Sequence, residues 1–176
     1  FEIIKYQKGE LRFLTGILFL SPVMLLMKAG LIENVRAKEI TLHHFFNGVS
    51  MVEFEQKSYE FAVHKLPRLI RPEALAKIRF HQRNNDRIII VSASARDWIE
   101  PWSRTENIEL LTSRLEKKDG RITGKLESLN CNGSEKVNRI KAHLDLSEYS
   151  PIYAYGDSAG DKEMLLLADH PFFRAF

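Results

Sequence analysis

At 176 residues, 44% hydrophobic and 28% charged, the chain has the composition of one soluble globular domain, or a core domain with a modest insertion, and not that of a disordered segment. Its single cysteine, Cys131, excludes an internal disulfide framework and a cysteine zinc cluster, and accords with a reducing compartment, the cytoplasm by default. The net charge of +3 sits in the first eighty residues without a basic run interleaved with aromatics, so no nucleic-acid partner is expected; an anionic small substrate or membrane surface suits it.

The chain opens on Phe1, not Met, already inside a helical pattern (Phe1, Ile3, Ile4, Tyr6), as a piece of something longer would. Residues 13–27 are uncharged and bounded by Arg12 and Lys28. They fall short of the ~20 residues that span a hydrocarbon core. Pro22 would break or kink a helix, and no small-x-small cleavage site follows. Two readings remain: two short buried helices hinged at Ser21-Pro22, which is preferred, or an interfacial hairpin that makes a membrane-surface contact.

Ile32 to about Asn85 reads as three or four amphipathic helices. Ser50-Met51-Val52-Glu53 has the form of a capping box, and Pro72 opens a helix that runs to about Gln82. His43 and His44 are adjacent and point apart on a helix. With His64 and His81 they read as surface or satisfied histidines, not ligands. The sequence contains no GxGxxG, P-loop, HExxH or G-x-S-x-G motif.

Arg87-Ile88-Ile89-Ile90-Val91 is β-branched without alternation, which predicts a parallel strand buried on both faces. It ends in Ser92-Ala93-Ser94-Ala95, with a helix from about Arg96. A hydroxyl and free N–H groups at a strand end can face a phosphate, or can merely cap the helix. Glu109–Glu116 and Arg121–Leu126 flank Lys117-Lys118-Asp119-Gly120, which predicts a hairpin. A helix starts at Ser134 with Val137, Ile140 and Leu144 on its apolar face. Lys136 lies in its first turn, where the dipole disfavours a cation by up to roughly 1 kcal/mol. It needs an anion or full solvation; solvation is the commoner case, and removal would then slightly raise stability.

Ile152–Tyr155 reads as a strand, Gly156 as a turn that lets the backbone approach a metal site closely, and Asp161 to Ala168 as a helix. Asp157 falls at the strand's carboxyl end, where open α/β sheets bind ligands. If it is the N-cap, Asp161 lies one turn on, facing the same side. Two hard oxygen donors so placed suit Mg²⁺; an N-cap followed by a first-turn acid is the alternative.

Strand-Ser92, then Gly133-Ser134-Glu135-Lys136-Val137, then Gly156-Asp157-Ser158-Ala159-Gly160-Asp161 resemble, in that order, motifs II, III and IV of the haloacid dehalogenase (HAD) superfamily. The phosphoserine-phosphatase-like group with a helical cap of the first type is the closest in pattern. IIIVSASARDWIEPW, DGRITGKL, NCNGSEKV, YGDSAGDKEML and ADHPFFRAF carry the resemblance over residues 86–176. It implies an α/β fold: a Rossmann-like core with a parallel sheet (residues 1–7 and 81–176, with a small β-hairpin) and a helical cap (residues 8–80). It also implies a Mg²⁺-dependent phosphomonoester hydrolase working through an aspartyl-phosphate. Asp157 and Asp161 would serve the metal, the latter directly or through water. Ser92 and Ala93 would bind phosphate, and Lys136 would neutralise charge at the transferring group.

The departure is the family's opening DxDx[TV] strand, which supplies nucleophile and general acid and is absent from these residues. Asp86, Asp97, Asp119 and Asp145 are misplaced to substitute. The chain by itself is therefore expected to lack phosphoryl-transfer activity while its parent has it, and to leave two strand edges unpaired. The alternatives are a membrane-associated lipid-phosphate phosphatase, for instance on phosphatidylglycerophosphate, and a non-catalytic binding module.

Overall fold

The computed structural model describes residues 1–176. Four helices come first: α1 (Glu2–Lys8), α2 (Glu10–Lys28), α3 (Asn34–Phe46) and α4 (Met51–Glu60). A wide helical turn at Phe61–Lys65 and a 3₁₀ turn at Leu66–Arg68 lead to α5 (Pro72–Arg83). Next come β1 (Ile89–Ala95), α6 (Glu100–Thr105), β2 (Glu109–Ser113), β3 (Leu115–Lys118), β4 (Arg121–Leu126), α7 (Ser134–His143), β5 (Tyr153–Gly156), α8 (Lys162–Leu165) and β6 (His170–Phe173).

The fold is α/β, with two parallel strand pairs, β1–β2 and β5–β6, and one antiparallel hairpin, β3–β4. No ladder joins β1 to β5. The expectation that β1 is buried on both faces fails: Ile89 to Ser94 are only half-buried, because β1 has a partner on one edge alone. The predicted strand 109–116 is two strands. It breaks at Arg114, and its first half joins the parallel pair through Ile89↔Glu109 to Ser92↔Thr112. Only its second half enters the hairpin.

The largest apolar cluster lies among the helices and the hairpin, with Phe45, Phe46, Phe54 and Ile122 at its centre. Burying aromatic side chains of this size is the main favourable term in such a core. The hairpin is tied to it by the backbone: Gly48 N–H donates to Ile122 O, Ile122 N–H to Val49 O, and Met51 N–H to Gly120 O. Ser50 makes no side-chain cap bond, and Glu53 instead pairs with Lys57 at 2.8 Å, so the predicted capping box is absent.

Residues 13–27 are not two hinged helices. α2 runs unbroken through Pro22. Proline cannot donate to the Leu18 carbonyl four residues back, and the Ser21 hydroxyl donates to that carbonyl instead, at 2.8 Å. Nor is the helix buried: only Phe13, Gly16 and Leu20 are. They pack toward α3, and Gly16 sits so close that an added Cβ would strike the Phe45 ring.

His81 is the satisfied histidine expected, buried between Asp86 and the Tyr155 hydroxyl at 2.7 and 3.0 Å. His43, His44 and His64 are exposed.

Candidate active site

Three loops meet at the carboxyl ends of β1 and β5. The regular β1–β2 ladder ends at Ser92. The Ser92 hydroxyl oxygen accepts the Ser94 N–H at 3.1 Å, an arrangement that leaves its own proton to donate elsewhere. Gly133, before α7, donates its N–H to Gly160 O at 3.0 Å. Gly160 in turn admits Asn132 so closely that a Cβ would collide with its amide.

Lys136 is the central group. Although it stands in the first turn of α7, it is 6% exposed, so solvation does not account for it. Its ammonium donates to Val91 O at 2.8 Å and to Asp161 Oδ1 at 2.5 Å. It therefore links the end of β1 to the loop after β5, two strands that no backbone ladder connects. The carboxylate that compensates the helix dipole is Asp161, a residue distant in sequence.

Asp157 and Asp161 differ from the expected pair. The 3₁₀ turn Ala159–Asp161 is capped by Ser158, not Asp157, in a reciprocal capping box. Asp161 Oδ2 accepts the Asp157 N–H, the Ser158 N–H and the Ser158 hydroxyl at 3.2, 2.9 and 2.6 Å. Burial pushes this carboxyl up, but hydrogen bonds from Lys136 and Ser158 outweigh it and hold the group below the usual aspartate value. Both Asp161 oxygens thus face protein donors. Asp157 is the freer one: its side chain is 55% exposed and its carboxylate pairs only with Arg71, at 3.3 Å, while Arg174 donates to its main-chain carbonyl at 3.4 Å. Gly156 is needed for Asp161, since a Cβ there would stand 2.5 Å from the Asp161 Cβ. The predicted helix 161–168 shrinks to the four residues of α8.

The structure thus joins Lys136 to Asp161, and to β1 through the carbonyl next to Ser92, while Asp157 stands at the rim. The Asp157 carboxylate, hydrogen-bonded only to Arg71, is the hard oxygen here that a cation such as Mg²⁺ could reach, and no group of three or more His, Cys, Asp or Glu side chains gathers around it. Asp161 lies behind it, and direct ligation would require it to give up a present bond.

Two residues here left no mark in the local sequence. Arg71 precedes α5, and Lys38 projects from α3 to donate to Ala93 O and Asn130 Oδ1 at 2.5 and 2.6 Å. Lys38 fastens the helical part to the loop after β1. Burial pushes its ammonium from 10.5 down to about 8. The unfolded chain then binds the extra proton between those two values, so this residue's contribution to stability rises with pH from about 8 toward 10.5 and is lost as pH falls back. The unfolding-midpoint difference between wild type and Lys38→Met should move in favour of wild type over that interval. A difference flat with pH would mean that the ammonium is solvated.

Known proteins share this fold. Protein CicA of Caulobacter vibrioides is 32% identical over 177 residues, covering 98% of this chain and 78% of CicA. A protein of unknown function from Bordetella pertussis Tohama I superposes with a TM-score of 0.72 at 24% identity, over 84% of this chain and 69% of that one. An unliganded probable phosphoserine phosphatase from Vibrio cholerae gives 0.69 at 13% identity, over 95% and 49%. At such identities the two structures show the fold alone. The model of the haloacid dehalogenase-like hydrolases matches residues 4–166, and with that match and the CicA likeness the chain belongs to the haloacid dehalogenase-like hydrolase family.

Proposed function

We propose that the protein is a Mg²⁺-dependent phosphatase for a small phosphomonoester, working through an aspartyl-phosphate. The observation that carries this reading is the buried Lys136 ammonium held between β1 and Asp161. A cation out of water beside a strand-end hydroxyl is what a transferring phosphoryl group needs, because electrostatic stabilisation is strongest where water is excluded. The attacking carboxylate is not among these residues, which contain no DxDx[TV]. Its oxygen would bond to phosphorus as the ester P–O bond breaks; the substrate alcohol would leave with a proton from the general acid of the same DxDx[TV] segment, and water would then hydrolyse the acyl phosphate.

Each residue present has a part in this scheme. Ser92 donates its hydroxyl proton to a phosphoryl oxygen while Ser94 N–H fixes its orientation, and the Ala93 N–H faces the same group. Lys136 offsets the negative charge that grows on the transferring group. Asp161 keeps that ammonium in place and shapes the Asp157-Ser158 turn. Asp157 would hold Mg²⁺ in place of the Arg71 contact, which would place positive charge at the phosphoryl oxygens. The helical region 8–80 acts as a cap, an assignment supported by the Lys38 contact with Ala93 O. One observation favours a second reading with a phospholipid substrate: the apolar face that α2 leaves exposed.

The test is Asp157→Asn in the full-length protein. Mg²⁺-dependent hydrolysis of p-nitrophenyl phosphate should drop by roughly a hundredfold or more. The circular dichroism spectrum should stay unchanged, since an exposed side chain of the same shape is replaced. Wild-type turnover in that variant would remove Asp157 from the reaction.

A further inference from the structure

We infer that α2 docks on the surface of an anionic lipid bilayer, lying in the interface with its outer face in the lipid. This goes beyond the hydrolase reading and does not depend on it. Leu11, Leu14, Leu18 and Leu25 recur at steps of three, four and seven residues and form one stripe. Leu18 is 75% exposed and Leu25 67%, and Phe19, 73% exposed, widens the stripe. Phe13, Gly16 and Leu20 lie on the opposite side and are buried. An apolar stripe covering most of a 19-residue helix exceeds the scattered apolar residues that a protein surface normally shows.

By length and composition the 19-residue α2 could cross a bilayer, contrary to the expectation from residues 13–27 alone, but its packing decides against a span. Its inner stripe is locked on α3, so only the outer half is available, which is the geometry of an interfacial helix.

Charge identifies the occupant. α2 carries Arg12 and Lys28 near its two ends against one acid, Glu10 at its first residue. Beside α2 lies a cleft of about 360 Å³ lined by apolar Phe19, Leu20 and Ile40 and by the basic or neutral polar side chains of Arg36, His44 and Lys125. Glu39 is the one acid lining that cleft; its carboxylate accepts the Leu126 N–H at 3.0 Å and lies 3.9 Å from Arg36, so His44 and Lys125 are the lining groups it leaves unpaired. Apolar surface bordered by cations matches acyl chains under anionic headgroups. A second copy of the chain matches it poorly. A two-fold pairing of antiparallel α2 helices would bring Arg12 toward Lys28, with Glu10 the single acid on each helix to offset the two cations.

The test is flotation of the full-length protein with vesicles of phosphatidylcholine alone and of phosphatidylcholine mixed equally with phosphatidylglycerol. Wild type should float with the mixed vesicles and be released by high salt. Leu18→Glu and Leu25→Glu, both at exposed positions, should each weaken partition by roughly tenfold or more while keeping the wild-type circular dichroism spectrum. Arg12→Glu with Lys28→Glu should weaken binding to the mixed vesicles only. Three outcomes overturn the inference: wild type that floats with neither vesicle, flotation that the variants leave unchanged, or a solution dimer that Leu18→Glu dissociates and that ignores vesicles. Hydrolysis of p-nitrophenyl phosphate is read separately, so failure of the hydrolase reading leaves the flotation result standing.

Discussion

Lys136→Met in the full-length protein should lower kcat by roughly a hundredfold or more on any phosphomonoester it hydrolyses. The substitution keeps the aliphatic stem and removes the ammonium. It also strips Val91 O and Asp161 Oδ1 of their donor at a place where both side chains of the ion pair are more than nine-tenths buried. Breaking a buried pair from one side costs about 3–5 kcal/mol, because the remaining charge is left uncompensated. The structure therefore reverses the stability effect expected of a solvated first-turn lysine, whose removal would relieve the helix dipole. Adding Asp161→Asn to Lys136→Met should restore much of the lost stability and none of the activity. That divergence separates a catalytic ammonium from a structural one, and the double-mutant cycle measures it. A single variant within about twofold of wild-type kcat would assign Lys136 to the scaffold.

Gly124→Ala should be among the most destabilising single-methyl additions in the chain, costing more than about 3 kcal/mol. Gly124 has φ +81° and lies where β4 crosses α3. An added Cβ would strike the His43 Cα and stand 2.5 Å from the His43 nitrogen. Backbone atoms have no alternative rotamer, so the hairpin must lift off the helix and open the cluster around Phe45, Phe46 and Ile122. Gly120→Ala is the control: its φ is +70°, and nothing lies within 4 Å of the added methyl. That variant pays only the left-handed backbone strain, on the order of 1 kcal/mol. Urea denaturation of the two proteins gives the difference directly, and equal midpoints would mean that the hairpin does not press on α3.

The sequence alone determined what depends on short-range pattern. β-branched runs marked β1, the Ile152–Tyr155 run marked β5, the Asp-Gly turn marked the hairpin, and Pro72 marked the start of α5. The spaced trio around Ser92, Lys136 and Asp157–Asp161 pointed to the HAD family because the backbone chemistry there is local: small residues, a helix start and glycines at turns.

Only the tertiary structure decided how those pieces share their bonds. Ser50 and Glu53 could form a capping box, yet Lys57 takes the glutamate. Asp157 could cap a helix, yet Ser158 does so, and Asp161 turns both oxygens inward once Lys136 arrives from α7. The interior of α2 shows the same limit. Pro22 forbids one backbone bond, but whether the helix stops depends on whether another donor reaches Leu18 O, and Ser21 does. Hydropathy could not say which side of residues 13–27 would be covered, since every side is apolar. The contact of Gly16 with Phe45 selects the buried stripe and leaves Leu11, Leu14, Leu18 and Leu25 facing outward.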